Sequence, residues 1–201
     1  MNFTVDGVET DLGYLRGNTN LFIRDIDNLI RFVPAGRGGS YENLLKAKSK
    51  GVQGAIGWTS LEAFTELDLN VTYIDFRNTT TGQLGSGSRV PNEPYFYSNF
   101  SMRLNWDDVI FGLDQLSLSW HSRYVEEFSL IYDNLIALNA EREIVPSQFS
   151  HAAALTYSTD IYDTSATMSL EIQNLTDEKF YDFYGVQRPG RALNAKIVLN
   201  F

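Results

Sequence analysis

Reaction chemistry has few footholds in this chain. His121 and His151 are its only imidazoles, they stand far apart in sequence, and there is no cysteine. Disulfides and thiolate metal sites are therefore excluded, and neither histidine sits in a cluster of the kind that holds zinc. Asp25-Ile26-Asp27-Asn28 has the opening of a calcium loop but lacks the glycine at its sixth position and the distal glutamate. Gly85-Ser86-Gly87-Ser88 is not followed by a helical pattern, so it reads as a flexible loop and not a phosphate cradle. The net charge of -9 works against nucleic acid as a partner. The sequence thus predicts no catalytic residue, no metal set and no cofactor. The expected class is not an enzyme.

The elements that carry the remaining polar residues are strands. In the last eleven residues Leu193, Ala195, Ile197, Leu199 and Phe201 alternate with Asn194, Lys196, Val198 and Asn200. Period two over that length is a β-strand with one apolar face. The same alternation recurs. Phe96, Phe100, Met102, Leu104 and Trp106 oppose Asn99, Ser101, Arg103 and Asn105. Leu116, Leu118 and Trp120 oppose Ser117, Ser119, His121 and Arg123, and Met168, Leu170 and Ile172 oppose Ser169, Glu171 and Gln173. The face of Phe149, Ala153, Leu155 and Tyr157 is interrupted by His151. Nine strands are expected, over about 2–14, 19–33, 42–58, 65–76, 94–106, 114–125, 146–158, 164–176 and 191–201. Their connections alternate: short at Arg16-Gly17-Asn18, 59–64, 107–113 and 159–163, long at 34–41, 77–93, 126–145 and 177–190. Short periplasmic turns and long extracellular loops are the rhythm of an outer-membrane barrel. No run of eighteen apolar residues encodes a membrane helix, and a mean hydropathy of -0.21 is compatible with lipid-facing strands, which hide their apolar content in alternation. Trp58, Trp106, Trp120, Tyr124 and Tyr157 suit interfacial girdles. The predicted fold is an all-β, antiparallel transmembrane barrel portion with about nine up-and-down strands. On it Arg103, His121, Arg123, Glu171 and Lys196 face the lumen, as a substrate path, a hydrogen-bonded lining or the partners of a plug.

Several segments resemble TonB-dependent outer-membrane receptors. Asn174-Leu175-Thr176-Asp177-Glu178-Lys179-Phe180-Tyr181 resembles their NLxDxxYY segment, and Arg188-Pro189-Gly190-Arg191 their PGR element before a last strand ending in phenylalanine. Upstream, Phe22–Ile30 is similar to FYxDIDDLI, Asn43–Val52 to NxGKARxxGVE, and Val90–Pro94 to xPNxP. These segments keep the family's order and span nearly the whole chain.

The resemblance implies a signal, a TonB box, a plug and a barrel of about 22 strands. Nine strands fill only the C-terminal part of such a barrel, so residues 1–201 are expected to be that part, without plug or signal peptide. The implied partners are outer-membrane lipid, the barrel-assembly machinery, the missing plug and N-terminal strands, and an extracellular chelate, an iron–siderophore complex foremost. The ligand would meet the long loops. In the last of them Tyr181, Phe183, Tyr184 and Arg188 combine stacking rings with a guanidinium, which suits an anionic, ring-bearing chelate, although the same aromatics could pack against neighbouring loops. Ile197, Leu199 and Phe201 resemble the signal read by the assembly machinery. Two other architectures fit parts of the pattern: an autonomous small outer-membrane barrel with a structural or pore role, and a soluble secreted β-sandwich that binds glycans.

Overall fold

Period-two alternation produces one large antiparallel sheet. The computed structural model describes residues 1–200 apart from 36–37, 83–84, 133–143, 162–163 and 184–185, and leaves aside the side chains of 31–35, 38, 42, 44–45, 161 and 182–183. Phe201 and Tyr184 lie outside the described residues. The strands are β1 (Asn2–Thr10), β2 (Gly13–Ala35), β3 (Gly38–Ser60), β4 (Thr65–Asn78), β5 (Phe96–Asp107), β6 (Asp114–Val125), β7 (Phe128–Ser129), β8 (Ile144–Val145), β9 (Gln148–Ile161), β10 (Thr164–Gln173), β11 (Tyr181–Phe183), β12 (Val186–Gln187) and β13 (Ala192–Asn200). Nine of them form a single sheet in the order β1-β2-β3-β4-β5-β6-β9-β10-β13, while β7–β8 and β11–β12 are small hairpins within long connections. The sheet is not closed: β1 and β13 each pair on one side only. A β-sandwich, with two stacked sheets, and a self-closed small barrel are both different from this arrangement.

Register sorts the side chains as the alternation predicts. Arg16, Gly57, Asp68, Ser101, His121 and Ala152 fall in one row across six strands. The neighbouring row on the opposite face holds Leu15, Trp58, Leu67, Met102, Trp120 and Ala153. Among the described residues that apolar face is largely open. Leu170 is 51% and Ile197 67% exposed, so it is not the inside of a soluble core. It has the character of a lipid-facing band.

Two expected boundaries move. The first turn is at Asp11-Leu12, not at Arg16-Gly17-Asn18. Gly17 pairs with Ile56 as an ordinary strand residue, and the chain reverses instead at Gly13 (φ 141°), where a side chain would collide with the Thr59 carbonyl. The expected loop over 34–41 is also strand: Pro34 pairs with Gly39 and Ala35 with Gly38, so β2 and β3 continue as a hairpin. Pro and Gly there read as breakers, yet an outer hairpin end accepts both.

Beyond the membrane band the two faces exchange character. Ile23, Lys50 and Asp75 share the outward row, followed by Asp25, Lys48 and Arg77, whereas Ala47 and Ser49 on the inward side are buried. From Phe64, whose ring meets Trp106 edge-on at 5.5 Å, to Asp75 the strand climbs roughly 26–31 Å along the membrane normal at the tilt of such barrels. An apolar band is about 25 Å tall, so Asp75 stands just above it.

Candidate functional site

The last long connection folds back over the polar face, and its local chemistry explains how. After β10, Asn174 takes a left-handed conformation (φ 49°), which asparagine tolerates better than most residues. Its Nδ2 donates to the Glu178 carbonyl at 2.8 Å and its Oδ1 accepts the Glu178 amide at 2.9 Å. Asp177, also left-handed at φ 56°, accepts the Arg191 amide on Oδ1 at 2.9 Å. That bond ties the start of the connection to the start of β13. A side chain on Gly190 would stand 2.8 Å from the same carboxylate oxygen. The Asn174–Tyr181 and Arg188–Arg191 segments are therefore two halves of one clasp.

The clasp delivers Tyr181 to the sheet. Gln148, 2% exposed, accepts the Tyr181 amide on Oε1 at 2.6 Å and donates from Nε2 to the Tyr181 carbonyl at 3.2 Å. The Tyr181 side chain packs with Tyr97 against a small buried cluster of Val125, Phe128, Leu130 and Val145. Between this connection and the polar sheet face lies a cavity of about 400 Å³. His121, Arg123, Glu171, Gln173, Tyr181 and Arg188 are among the residues that line it.

Five residues singled out in the sequence thus meet: His121, Arg123, Glu171, Tyr181 and Arg188. Glu171 accepts a hydrogen bond from Gln173 Nε2 at 2.9 Å, and His121 Nδ1 lies 2.9 Å from Ser101 Oγ. Two guanidinium groups and one carboxylate leave the wall with an excess of positive charge, beside a phenol and an imidazole. In the His121 row Arg16 donates to Asp68 at 2.7 Å, reaching across Gly57. A Cβ on Gly57 would stand 2.5 Å from Arg16 Nε and 2.6 Å from Asp68 Oδ1, so the absent side chain is what lets the pair form.

The other candidates lie apart from the cavity. Arg103 pairs with Glu66 at 3.9 Å, farther toward the periplasmic turns. Lys196 faces the same side next to Ser169 on the exposed last strand. Ile197 and Leu199 point to the apolar face, opposite Met168 and Ala166. The backbone of Phe183 belongs to β11, and its side chain is outside those described. His151 falls in the register of the apolar face, beside Ser122, and it also contributes to the cavity wall. It shares Ser122 Oγ (2.9 Å) with Trp120 Nε1 (2.8 Å), so the three satisfy one another within the band. Among the described residues no group of carboxylates and histidines has the arrangement of a metal site. Sequence reasoning missed Gln148, Gln173 and Phe180 as wall residues. Gln148 and Gln173 begin and end strands on the polar face, a position that could have marked them.

An open antiparallel sheet with an uncovered apolar face, a polar face and loops gathered at one end defines a segment of an outer-membrane-type β-barrel. The family model described as TonB dependent receptor-like, beta-barrel matches residues 2–175, and the chain belongs to that family. It is a family of transport receptors of the outer membrane, not of enzymes. Among solved structures, the chain is similar to BauA, the ferric preacinetobactin receptor from Acinetobacter baumannii, with a TM-score of 0.69 and 16% identity. The match covers 97% of this chain and 28% of that one, and at this identity the likeness is one of fold. No curated protein sequence matches the chain.

Proposed function

We propose that these nine strands are the C-terminal part of a TonB-dependent receptor barrel, completed by further strands, that takes up a scarce nutrient across the outer membrane, with an iron–siderophore chelate as its cargo. The observation that carries this reading is the cavity at the loop end of the polar face, where Arg123, Arg188 and Tyr181 converge. An anionic chelate would find two guanidinium groups for its oxygens and a phenol ring for its aromatic part. Supporting the wider assignment are the family match over residues 2–175 and the two unpaired sheet edges, since lipid does not tolerate open edges. The other partners of the reading are outer-membrane lipid around the apolar face, the barrel-assembly machinery acting on a terminal strand that holds Ile197 and Leu199, and a plug against the polar face that carries Arg103 and Lys196.

The test is chelate binding by the receptor isolated from outer membranes. Arg123→Gln combined with Arg188→Gln removes both positive charges from the wall. Each charged hydrogen bond contributes about 1.5–3 kcal/mol, so the pair should weaken binding of a ferric catecholate or hydroxamate by at least about a hundredfold. Unchanged affinity for every ferric chelate that the parent binds would remove the cavity from the account.

A further inference from the structure

The outward face of β2–β4 changes abruptly just above the membrane band. Within the band it carries Leu21, Val52 and Tyr73; one row higher it carries Ile23, Lys50 and Asp75, and next come Asp25, Lys48 and Arg77. Lys46, Lys48 and Lys50 are alternate residues of one strand, and all three are exposed. Arg89 joins them through its bridge to Arg77. Among the described residues these five cations outnumber Asp25, Asp27 and Asp75 on the same surface, although the chain as a whole carries -9. Among the described residues Lys46 makes no ion pair.

The patch is held in place from beneath. The Asp75 side chain is only 7% exposed and gathers three cations: Arg77 Nε at 2.9 Å, Lys50 Nζ at 3.5 Å and Arg89 Nε at 3.5 Å. Arg89 also lies over the Tyr95 ring at 4.2 Å and donates to the Tyr73 hydroxyl at 3.2 Å. Burial works to raise the Asp75 carboxyl, but the hydrogen bond and charge of Arg77, with Arg89 and Lys50, prevail and hold it below its usual value. One buried anion thus aligns cations whose own side chains remain 33–59% exposed.

We propose that this rim is a docking site for the phosphorylated headgroup of an outer-leaflet glycolipid. Height and direction select this occupant. The cations point to the same side as the lipid-facing residues, within one to three rows of them, where headgroup phosphates stand while acyl chains cover Leu21, Val52 and Tyr73. A soluble anion has no reason to prefer cations turned toward lipid, away from the lumen. Each cation near an anionic membrane surface contributes about 1 kcal/mol, and strand alternation spaces the lysines about 7 Å apart, suited to a headgroup with more than one phosphate. The proposal rests on the barrel assignment but not on the nature of the cargo.

The test uses the protein extracted from outer membranes in mild non-ionic detergent, with bound lipid measured by mass spectrometry. The parent should retain bisphosphorylated lipid A, enriched over its share of total membrane lipid. Replacing Lys46, Lys48 and Lys50 together by Gln should lower that retention at least about tenfold, while Lys179→Gln, on the loop clasp, should leave it unchanged. A second measurement needs no variant. Delipidated parent protein should bind lipid A at least about tenfold more tightly than its dephosphorylated form, and excess inorganic phosphate should not displace it. No enrichment in the parent, equal binding of the two lipid forms, or displacement by inorganic phosphate alone would overturn the proposal. Loss of chelate binding in the Arg123 and Arg188 variants would leave these readouts untouched, so the two proposals fail separately.

Discussion

Adjacent residues of β4 offer the sharpest contrast between the two faces. Leu69 is 39% exposed and sits in an outward row between Ile56 and Phe100. Asn70 faces the other way, between Ala55 and Asn99. Leu69 is the second of four outward apolar residues on the strand, Leu67, Leu69, Val71 and Tyr73, so it lies near the middle of the band. An arginine there would meet hydrocarbon at a cost of about 2–4 kcal/mol, which lowers the equilibrium constant for the inserted, folded state roughly 30- to 700-fold. Asn70→Arg exposes its guanidinium to a polar face with asparagine beside it, and should cost less than about 1 kcal/mol. The assay is the heat-modifiable, membrane-inserted fraction of each variant in cells. Leu69→Arg should be depleted and Asn70→Arg should resemble the parent. Equal loss in both, or greater loss for Asn70→Arg, would refute the assignment of faces.

Asp177→Ala removes the acceptor that holds the Arg191 amide and should destabilise the loop clasp by about 1–2 kcal/mol, read as faster limited proteolysis within 174–191 while the sheet stays protected. The Asp75 carboxyl lies below its ordinary value, so its contribution to the rim is complete above the usual carboxylate pKa of about 3.9 and fades only as pH falls through the lower folded value. Asp75→Asn should abolish that acid-dependent component of rim stability, measured by hydrogen exchange of β3 and β4, and an unchanged pH profile would contradict it. A single cysteine at Ser86, in the connection between β4 and β5, should react with an impermeant thiol reagent on intact cells, whereas one at Asp160, beside the β9–β10 turn, should not. The reverse pattern would invert the topology.

Much of this fold was legible because alternation with period two is a local property. The faces of β5, β6, β10 and β13 follow directly from it, and so does the count of nine strands in the sheet. The ends of β2 and β3 were not legible. Arg16-Gly17-Asn18 has turn composition but continues the polar–apolar alternation as strand, and Pro34 with Gly38 and Gly39 conceals a continued hairpin. The exchange of faces at Ile23, Lys50 and Asp75 depends on height above the lipid, which composition alone does not give. The cavity unites Arg123 of β6, Glu171 of β10 and Arg188 of the following connection, so their meeting depends on register and on the path of the clasp. The residues of that clasp were visible as a motif, but their role was not: Asn174 and Asp177 spend their polar atoms on the backbone.

The central claim is that the nine strands are a section of a larger barrel, so that β1 and β13 meet strands other than each other. Because the chain has no cysteine, the double variant Thr4→Cys with Lys196→Cys, one substitution on each outer strand, reports on closure without background. In outer membranes the account predicts no disulfide between these two positions. A high-yield disulfide joining the two substituted positions in a monodisperse, heat-modifiable monomer would show the sheet closing on itself and would contradict the account.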